Sequence, residues 1–240
     1  MTTARMLRSI PAVRKKFEEI AEHLELLIFS GKLAVGDKIP SERDLMAQFG
    51  AGRSSVREAI FALQRKGLLA ARSGAATRVS SPSADTMISE LSGAVRHLLS
   101  RPEGIRDLQN ARALLEIGLA RNAALHASEE DIATLQVALE ENRKANDQET
   151  FARTDMMFHY ALAMISRNEI FTSLNSALNE WLAEQRRVSA LAGVTFEEVY
   201  IQHRAIADAI AARDPVAAEE AMDAHLNDVS RRYWRAVLRQ

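Results

Sequence analysis

The sequence predicts a mainly α-helical fold: an N-terminal winged helix-turn-helix followed by a C-terminal all-α bundle of about seven helices. Three observations predict it. Two short helical stretches, Ile39-Pro-Ser-Glu-Arg-Asp-Leu45 and Gly52-Arg-Ser-Ser-Val-Arg-Glu-Ala-Ile60, flank a glycine-bearing turn, and Lys66-Gly-Leu-Leu69 closes the second. Beyond Ser80-Ser-Pro-Ser83 the texture becomes alanine- and leucine-rich with almost no strand signal. Charge divides at the same place: residues 1–80 hold 14 Lys and Arg against 8 Asp and Glu, and residues 81–240 hold 17 against 24. A basic block ahead of an acidic one suits a polyanion-binding module joined to a second domain.

Taken in order, residues 1–10 read as a flexible tail carrying Arg5 and Arg8. A helix is expected from Pro11, which is favourable in a first turn, to about Ser30, where Gly31 stops it. Phe17, Ile20, Leu24, Leu27 and Ile28 recur at helical spacing along its buried face. Gly36-Asp37 is a turn. Ser41 and Asp44 suit a capping box for a short helix over 41–49. Gly50 and Gly52 separate it from a helix over 53–66, whose Val56, Ile60 and Leu63, with Leu68 beyond it, belong to the core. Gly67 ends that helix, and Leu68–Arg72 with Ala76–Val79 form a hairpin turning at Ser73-Gly74. Later helices are expected near 84–100, 104–126, 129–145, 148–166, 169–191, 195–213 and 215–238. Ser128 with Asp131, Thr195 with Glu198, and Asp214 before Pro215 supply start signals. The domain boundaries expected are 11–80 for the winged module, 81–104 for a linker and connecting helix, and 105–238 for the bundle.

A hydrophobic content of 47% with 26% charged residues is that of a water-soluble globular chain. No apolar run reaches the roughly 18 residues that span a bilayer, and the opening residues do not read as a signal peptide, so no membrane partner and a cytoplasmic location are expected. The absence of cysteine excludes disulfides, thiolate metal sites and cysteine nucleophiles.

Arg53, Ser54, Ser55 and Arg57 open the second short helix, the turn that enters deepest when such a helix docks in the major groove of double-stranded DNA. Arginine can donate two hydrogen bonds to guanine, and serine can reach phosphates or base edges. Arg43 on the preceding helix is placed to meet backbone or base, and Gly74 at the wing tip lets the main chain approach DNA closely.

In the bundle, Asp155 and His159 lie four residues apart and so share one helix face. His203 and His225 stand 11 residues before and 11 after Asp214, where the last two helices turn. Equal distances from an antiparallel turn set two side chains at one height, and eleven residues is close to three full turns. One carboxylate and three imidazoles can therefore converge. Such a donor set without sulfur suits a divalent metal, zinc first, with nickel, manganese or iron as alternatives. His23, His97 and His126 lack such company.

The N-terminal motifs resemble the GntR family of bacterial transcription regulators over roughly residues 11–80. Ala51-Gly52 departs from the Val-Ser often found before the arginine, which loses a hydroxyl contact to phosphate but leaves the arginines in place. Residues 105–230 resemble the FCD effector domain of the FadR branch, in which a D-x-x-x-H helix and two later histidines hold a metal. The resemblance also implies that Arg112, in Arg112-Ala-Leu-Leu-Glu116, meets an effector carboxylate, although its spacing equally suits a surface ion pair with Glu116. Asn168 matches a polar position of the family at a helix junction, where a helix cap explains it as well. Ser80–Gly93, Arg101-Pro-Glu-Gly-Ile105, Asn179-Glu-Trp-Leu182 and His225-Leu-Asn-Asp-Val-Ser230 are similar to the sialic-acid-responsive repressors of this branch.

The resemblance thus implies a non-enzymatic, ligand-responsive repressor. It would act as a homodimer on a DNA operator, with a small carboxylate or sugar acid such as N-acetylneuraminate as effector. Aromatic or central-metabolism carboxylates are the alternative effectors. A metal-dependent hydrolase with Glu116 as its base, and a purely structural metal, are the alternatives of other classes.

Overall fold

The computed structural model describes residues 15–71, 76–191 and 195–239, and the chain falls into two compact units, residues 1–87 and 88–240. In the first, α1 (Lys16–Phe29), α2 (Glu42–Phe49) and α3 (Arg53–Arg65) surround a core of Ile20, Leu24, Leu45, Val56, Ala59 and Leu63, all fully buried. Phe17, Leu27, Ile28 and Ile60 pack against this core half-buried, so the helical periodicity marks the correct faces. The expected start at Pro11 lies outside the described residues. Ser41 caps α2: its hydroxyl accepts from the Asp44 amide at 3.2 Å and donates to the Asp44 carboxylate at 2.5 Å. Gly50 ends α2 with φ 57°, a left-handed conformation that glycine adopts without a Cβ penalty, and this reverses the chain into α3.

The hairpin consists of β1 (Leu69–Ala70) and β2 (Arg78–Val79), antiparallel with Leu69 opposite Val79 and Ala70 opposite Arg78. Its expected turn at Ser73-Gly74 lies outside the described residues. A third segment, which carries no sequence signal, adds to the sheet through Lys38, with the Val79 amide donating to Asp37 O at 2.9 Å.

Beyond the Ser-Pro-Ser linker the described residues hold nine helices where the sequence predicts about seven. The first pair is α4 (Ala84–Ser89) and α5 (Ser92–Leu98), in place of one helix over 84–100. Then come α6 (Pro102–His126), α7 (Glu129–Arg143), α8 (Gln148–Met164), α9 (Glu169–Trp181), α10 (Ala183–Leu191), α11 (Phe196–Ala211) and α12 (Pro215–Val237). The expected helix over 169–191 is thus also broken, at Leu182. The long α6 runs against α8, α9, α11 and α12, and Ala120, Ala123, Ala163 and Ala218 allow close approach around Leu135, Phe158, Leu162, Ile206 and Met222. Gly104 permits the tight α5–α6 corner, since a Cβ there would stand 2.1 Å from Leu98 O.

The helix starts are set by the expected caps. Ser128 with Asp131 and Thr195 with Glu198 form reciprocal capping boxes, and the Asp214 carboxylate accepts from the Val216 and Ala217 amides at 3.1 and 3.0 Å. The last cap, with Pro215 in the first turn, fixes the α11–α12 hairpin and so the relative heights of His203 and His225.

Candidate metal centre and DNA-reading helix

His159 from α8, His203 from α11 and His225 from α12 are at most 1% exposed and meet in the middle of the bundle. One ring nitrogen of each can be chosen so that all three lie within 4.8 Å of one another. Asp155, one turn before His159, brings Oδ1 to 3.6 Å of His203 Nε2, so the expected carboxylate reaches the edge of the histidine cluster. His23 is half-buried and His97 and His126 are exposed; none of them joins it.

Each imidazole is held from behind through Nδ1. The Glu116 carboxylate lies 2.5 Å from His159 Nδ1, Asn142 Oδ1 lies 3.1 Å from His203 Nδ1, and Gln202 Oε1 lies 2.8 Å from His225 Nδ1. The two amides are oriented by further bonds. Thr154 donates its hydroxyl to the Thr150 carbonyl and accepts from Asn142 Nδ2 at 3.1 Å, which turns Asn142 Oδ1 towards His203. Gln202 Nε2 donates to Asp228 at 2.9 Å, which turns its oxygen towards His225. For His203 and His225 the amide acceptors place the proton on Nδ1 and leave the Nε2 lone pair free, the tautomer that binding a metal through Nε2 requires. His203 Nε2 is buried without a hydrogen-bond partner, a costly arrangement unless an ion completes it.

Burial pushes the His203 imidazole down to about 3 and the His225 imidazole well below its ordinary value, so both rings are neutral at physiological pH. Burial alone would raise the Glu116 and Asp155 carboxyls. Arg112 and His159 beside Glu116, and His159 and Arg186 beside Asp155, reverse this and hold both well below the usual carboxylate range. Neutral nitrogen donors with an ionised carboxylate fit a divalent ion, and the buried triad can hold one. Replacing Asn142 by leucine is expected to free the His203 ring and weaken metal affinity by about tenfold, the lower end of losses for such supporting residues, as measured by chelator competition.

A cavity of about 410 Å³ opens beside this cluster. Asp155 and His225 form part of its lining, Phe151, Met156 and Val199 give it apolar walls, and Arg112, Arg186, Arg187 and Arg232 also line it. Arg112 is buried, not on the surface: its Nε donates to Glu116 at 2.7 Å and its Nη2 lies 3.5 Å from His159 Nε2. This pairing also occupies Glu116, which is therefore not a free general base. Arg186 donates to Asp155 Oδ2 at 3.0 Å and to Asn179 O at 2.7 Å, tying the carboxylate beside the histidine cluster to the α9–α10 break. Asn168 lines neither described cavity. It is exposed, and its carboxamide accepts from the Ile170 and Phe171 amides, capping α9.

In the first unit, Arg53 and Ser54 are exposed at the start of α3 and Ser55 is half-buried. Arg57 is exposed, but its Nε donates to both Glu42 oxygens at 3.1 and 3.2 Å, so α2 fixes its direction. Arg43 projects from α2 with its side chain 94% exposed. Gly74 lies outside the described residues.

The sequence matches the description "Bacterial regulatory proteins, gntR family" over residues 16–79 and "FCD domain" over residues 107–228. It is 44% identical over 242 residues to the HTH-type transcriptional repressor NanR of Salmonella newport, covering 97% of this chain and 91% of that one. NanR of Salmonella typhimurium matches at the same identity, with 90% of that chain covered. Among solved structures, Streptococcus agalactiae GntR superposes with a TM-score of 0.61 at 29% identity, covering 90% of this chain and 99% of its own. Escherichia coli McbR/YncC shares the fold, with a TM-score of 0.51 at 15% identity over 92% of this chain and 98% of its own. The matched NanR relatives are transcriptional repressors, not enzymes. The chain belongs to the GntR family of bacterial regulatory proteins and carries an FCD domain as its C-terminal part.

Proposed function

We propose that this chain is a metal-dependent, acid-responsive transcriptional repressor that binds operator DNA as a homodimer in the bacterial cytoplasm. The observation that carries the sensor half is the meeting of three buried imidazoles, the Nδ1 of each facing an oxygen acceptor, beside a cavity. His159, His203 and His225 with Asp155 Oδ1 would hold the ion, zinc first, with nickel, manganese or iron as alternatives.

The charges around the cavity support an acid as effector. Arg112 faces Glu116, Arg186 faces Asp155, Arg187 faces Glu184 and Arg232 faces Asp228, so every one of these arginines already has a carboxylate partner. A bound divalent ion supplies the uncompensated positive charge that attracts an effector carboxylate. The cavity walls then receive the rest of the acid, with Arg112 and Arg186 at hand as donors. The resemblance to sialic-acid-responsive repressors, together with 44% identity to NanR over 97% of the chain, makes N-acetylneuraminate the first effector to try.

On the DNA side, Arg43, Arg53, Ser54, Ser55 and Arg57, with Gly74 at the wing, would read the operator. Two copies of α3 in a dimer would meet two half-sites. The acid can change operator affinity only by binding one arrangement of the dimer more tightly than another.

A thermal-shift screen of sugar acids and small carboxylates, with and without added zinc, tests this reading. N-acetylneuraminate should raise the melting midpoint of the metal-loaded chain and not of the chelator-treated chain, and should alter operator binding. A midpoint unmoved by any acid in either state would contradict it.

A further inference from the structure

A second, smaller chamber of about 50 Å³ lies beside the main cavity, and the two share Arg112, Arg186 and Val229 in their walls. We propose that this chamber is a second compartment of the acid-binding site, and that Gln185 within it selects acids bearing a hydroxyl or amide substituent. The inference rests on the reading of the main cavity given above.

Apart from the paired charges and Glu149, the main cavity presents the polar side chains of Gln148, Ser189 and His225 among apolar walls of Phe151, Met156 and Val199. Apolar walls of that kind supply contact area but discriminate weakly between a hydroxylated acid and a plain one. The small chamber differs in kind. Gln185 is only 8% exposed, and its Oε1 is buried with no hydrogen-bond partner; the Nε of neighbouring Arg186 is buried and unpartnered as well. Gln185 Oε1 is an acceptor and Arg186 Nε a donor, and both residues line the same chamber. A hydroxyl or amide group both donates and accepts, so it can satisfy the pair, whereas a hydrocarbon or aromatic substituent would leave both unmet.

Two other polar side chains of the chamber, Gln109 and Ser230, are committed to each other. Gln109 Oε1 accepts from Ser230 Oγ at 3.1 Å and from Trp234 Nε1 at 2.9 Å, which makes that wall a fixed one. The volume accommodates about three water-sized groups, enough for a hydroxymethyl group or a short diol and too little for a ring. The occupant is therefore the polar arm of an acid whose carboxylate lies on the metal side of the arginines.

Calorimetric titration of the zinc-loaded full chain with N-acetylneuraminate and with 2-oxobutyrate, which has a carboxylate but no hydroxylated arm, tests the proposal. Gln185→Leu should weaken N-acetylneuraminate by about tenfold or more while leaving 2-oxobutyrate unchanged within about twofold. Should the leucine variant fail to fold, Gln185→Met, flexible and similar in length, carries the same comparison. Equal losses for both acids, or no loss for either, with the unaltered chain binding normally, would overturn the role of Gln185 alone. Failure of the unaltered zinc-loaded chain to bind either acid would overturn the reading of the main cavity and this inference with it.

Discussion

Replacing His203 by alanine is expected to reduce metal affinity by more than the ~10–100-fold that follows loss of a supporting residue. His203 is fully buried, its Nδ1 is committed to Asn142, and its Nε2 is the ring nitrogen left without a hydrogen-bond partner. Deleting the ring removes a donor that no neighbour can replace: Asn142 faces the ring from behind, and Asp155 is already tied to Arg186. The same deletion removes the contact with Phe158, whose ring stacks on the imidazole at 4.4 Å between centroids. Metal-free stability should therefore also fall. The two effects separate in a melting experiment, since zinc should raise the midpoint of the unaltered chain and leave that of the variant where it was. Equilibrium dialysis showing unchanged zinc affinity in His203→Ala would assign the ion to another place.

Replacing Arg53 by alanine is expected to leave the fold intact and remove most of the preference for the operator. Arg53 opens α3 on its exposed side, while Val56, Ala59 and Leu63 of the same helix fill the core, so the substitution touches no packing. A guanidinium bidentate to guanine contributes about 1–3 kcal/mol of discrimination, and a dimer loses it at both half-sites. Arg57→Ala is expected to act in the same direction, because its bonds to Glu42 hold the side chain in one orientation before DNA arrives. Titration of specific and scrambled duplexes at one salt concentration reads the difference. Equal weakening on both duplexes would make Arg53 a phosphate contact, with the reading of bases falling to other residues.

Those two outcomes depend on features unequally visible in the sequence. The helix-turn-helix was legible because short-range devices set it: the Ser41 cap, the left-handed Gly50 and the buried faces of α1 and α3. The meeting of His203 and His225 was legible too, because Asp214 and Pro215 mark the turn from which both are counted. What the sequence hid depends on long-range partners. Arg112 and Glu116 have the same four-residue spacing whether a helix face is wet or dry, so their burial beside His159 could not be read from it. Asn142, Gln202 and Arg186 orient the site from three different helices with no shared spacing.

The two helix breaks were missed for a related reason. Neither Gly nor Pro marks Glu90-Leu91 or Leu182, so local sequence carries no stop signal at either break. At the second break Arg186 donates both to the Asn179 carbonyl and to Asp155 of α8, a partner distant in the sequence. Asn168 shows the converse: a polar residue at a helix junction whose carboxamide oxygen caps α9.

X-ray absorption at the zinc edge of the metal-loaded full chain probes the centre of the account most directly. The predicted result is three imidazole nitrogens at about 2.0–2.1 Å with at least one oxygen neighbour, and loss of one imidazole in His203→Ala. A spectrum with fewer than three imidazoles, or one unaltered by the substitution, would contradict it.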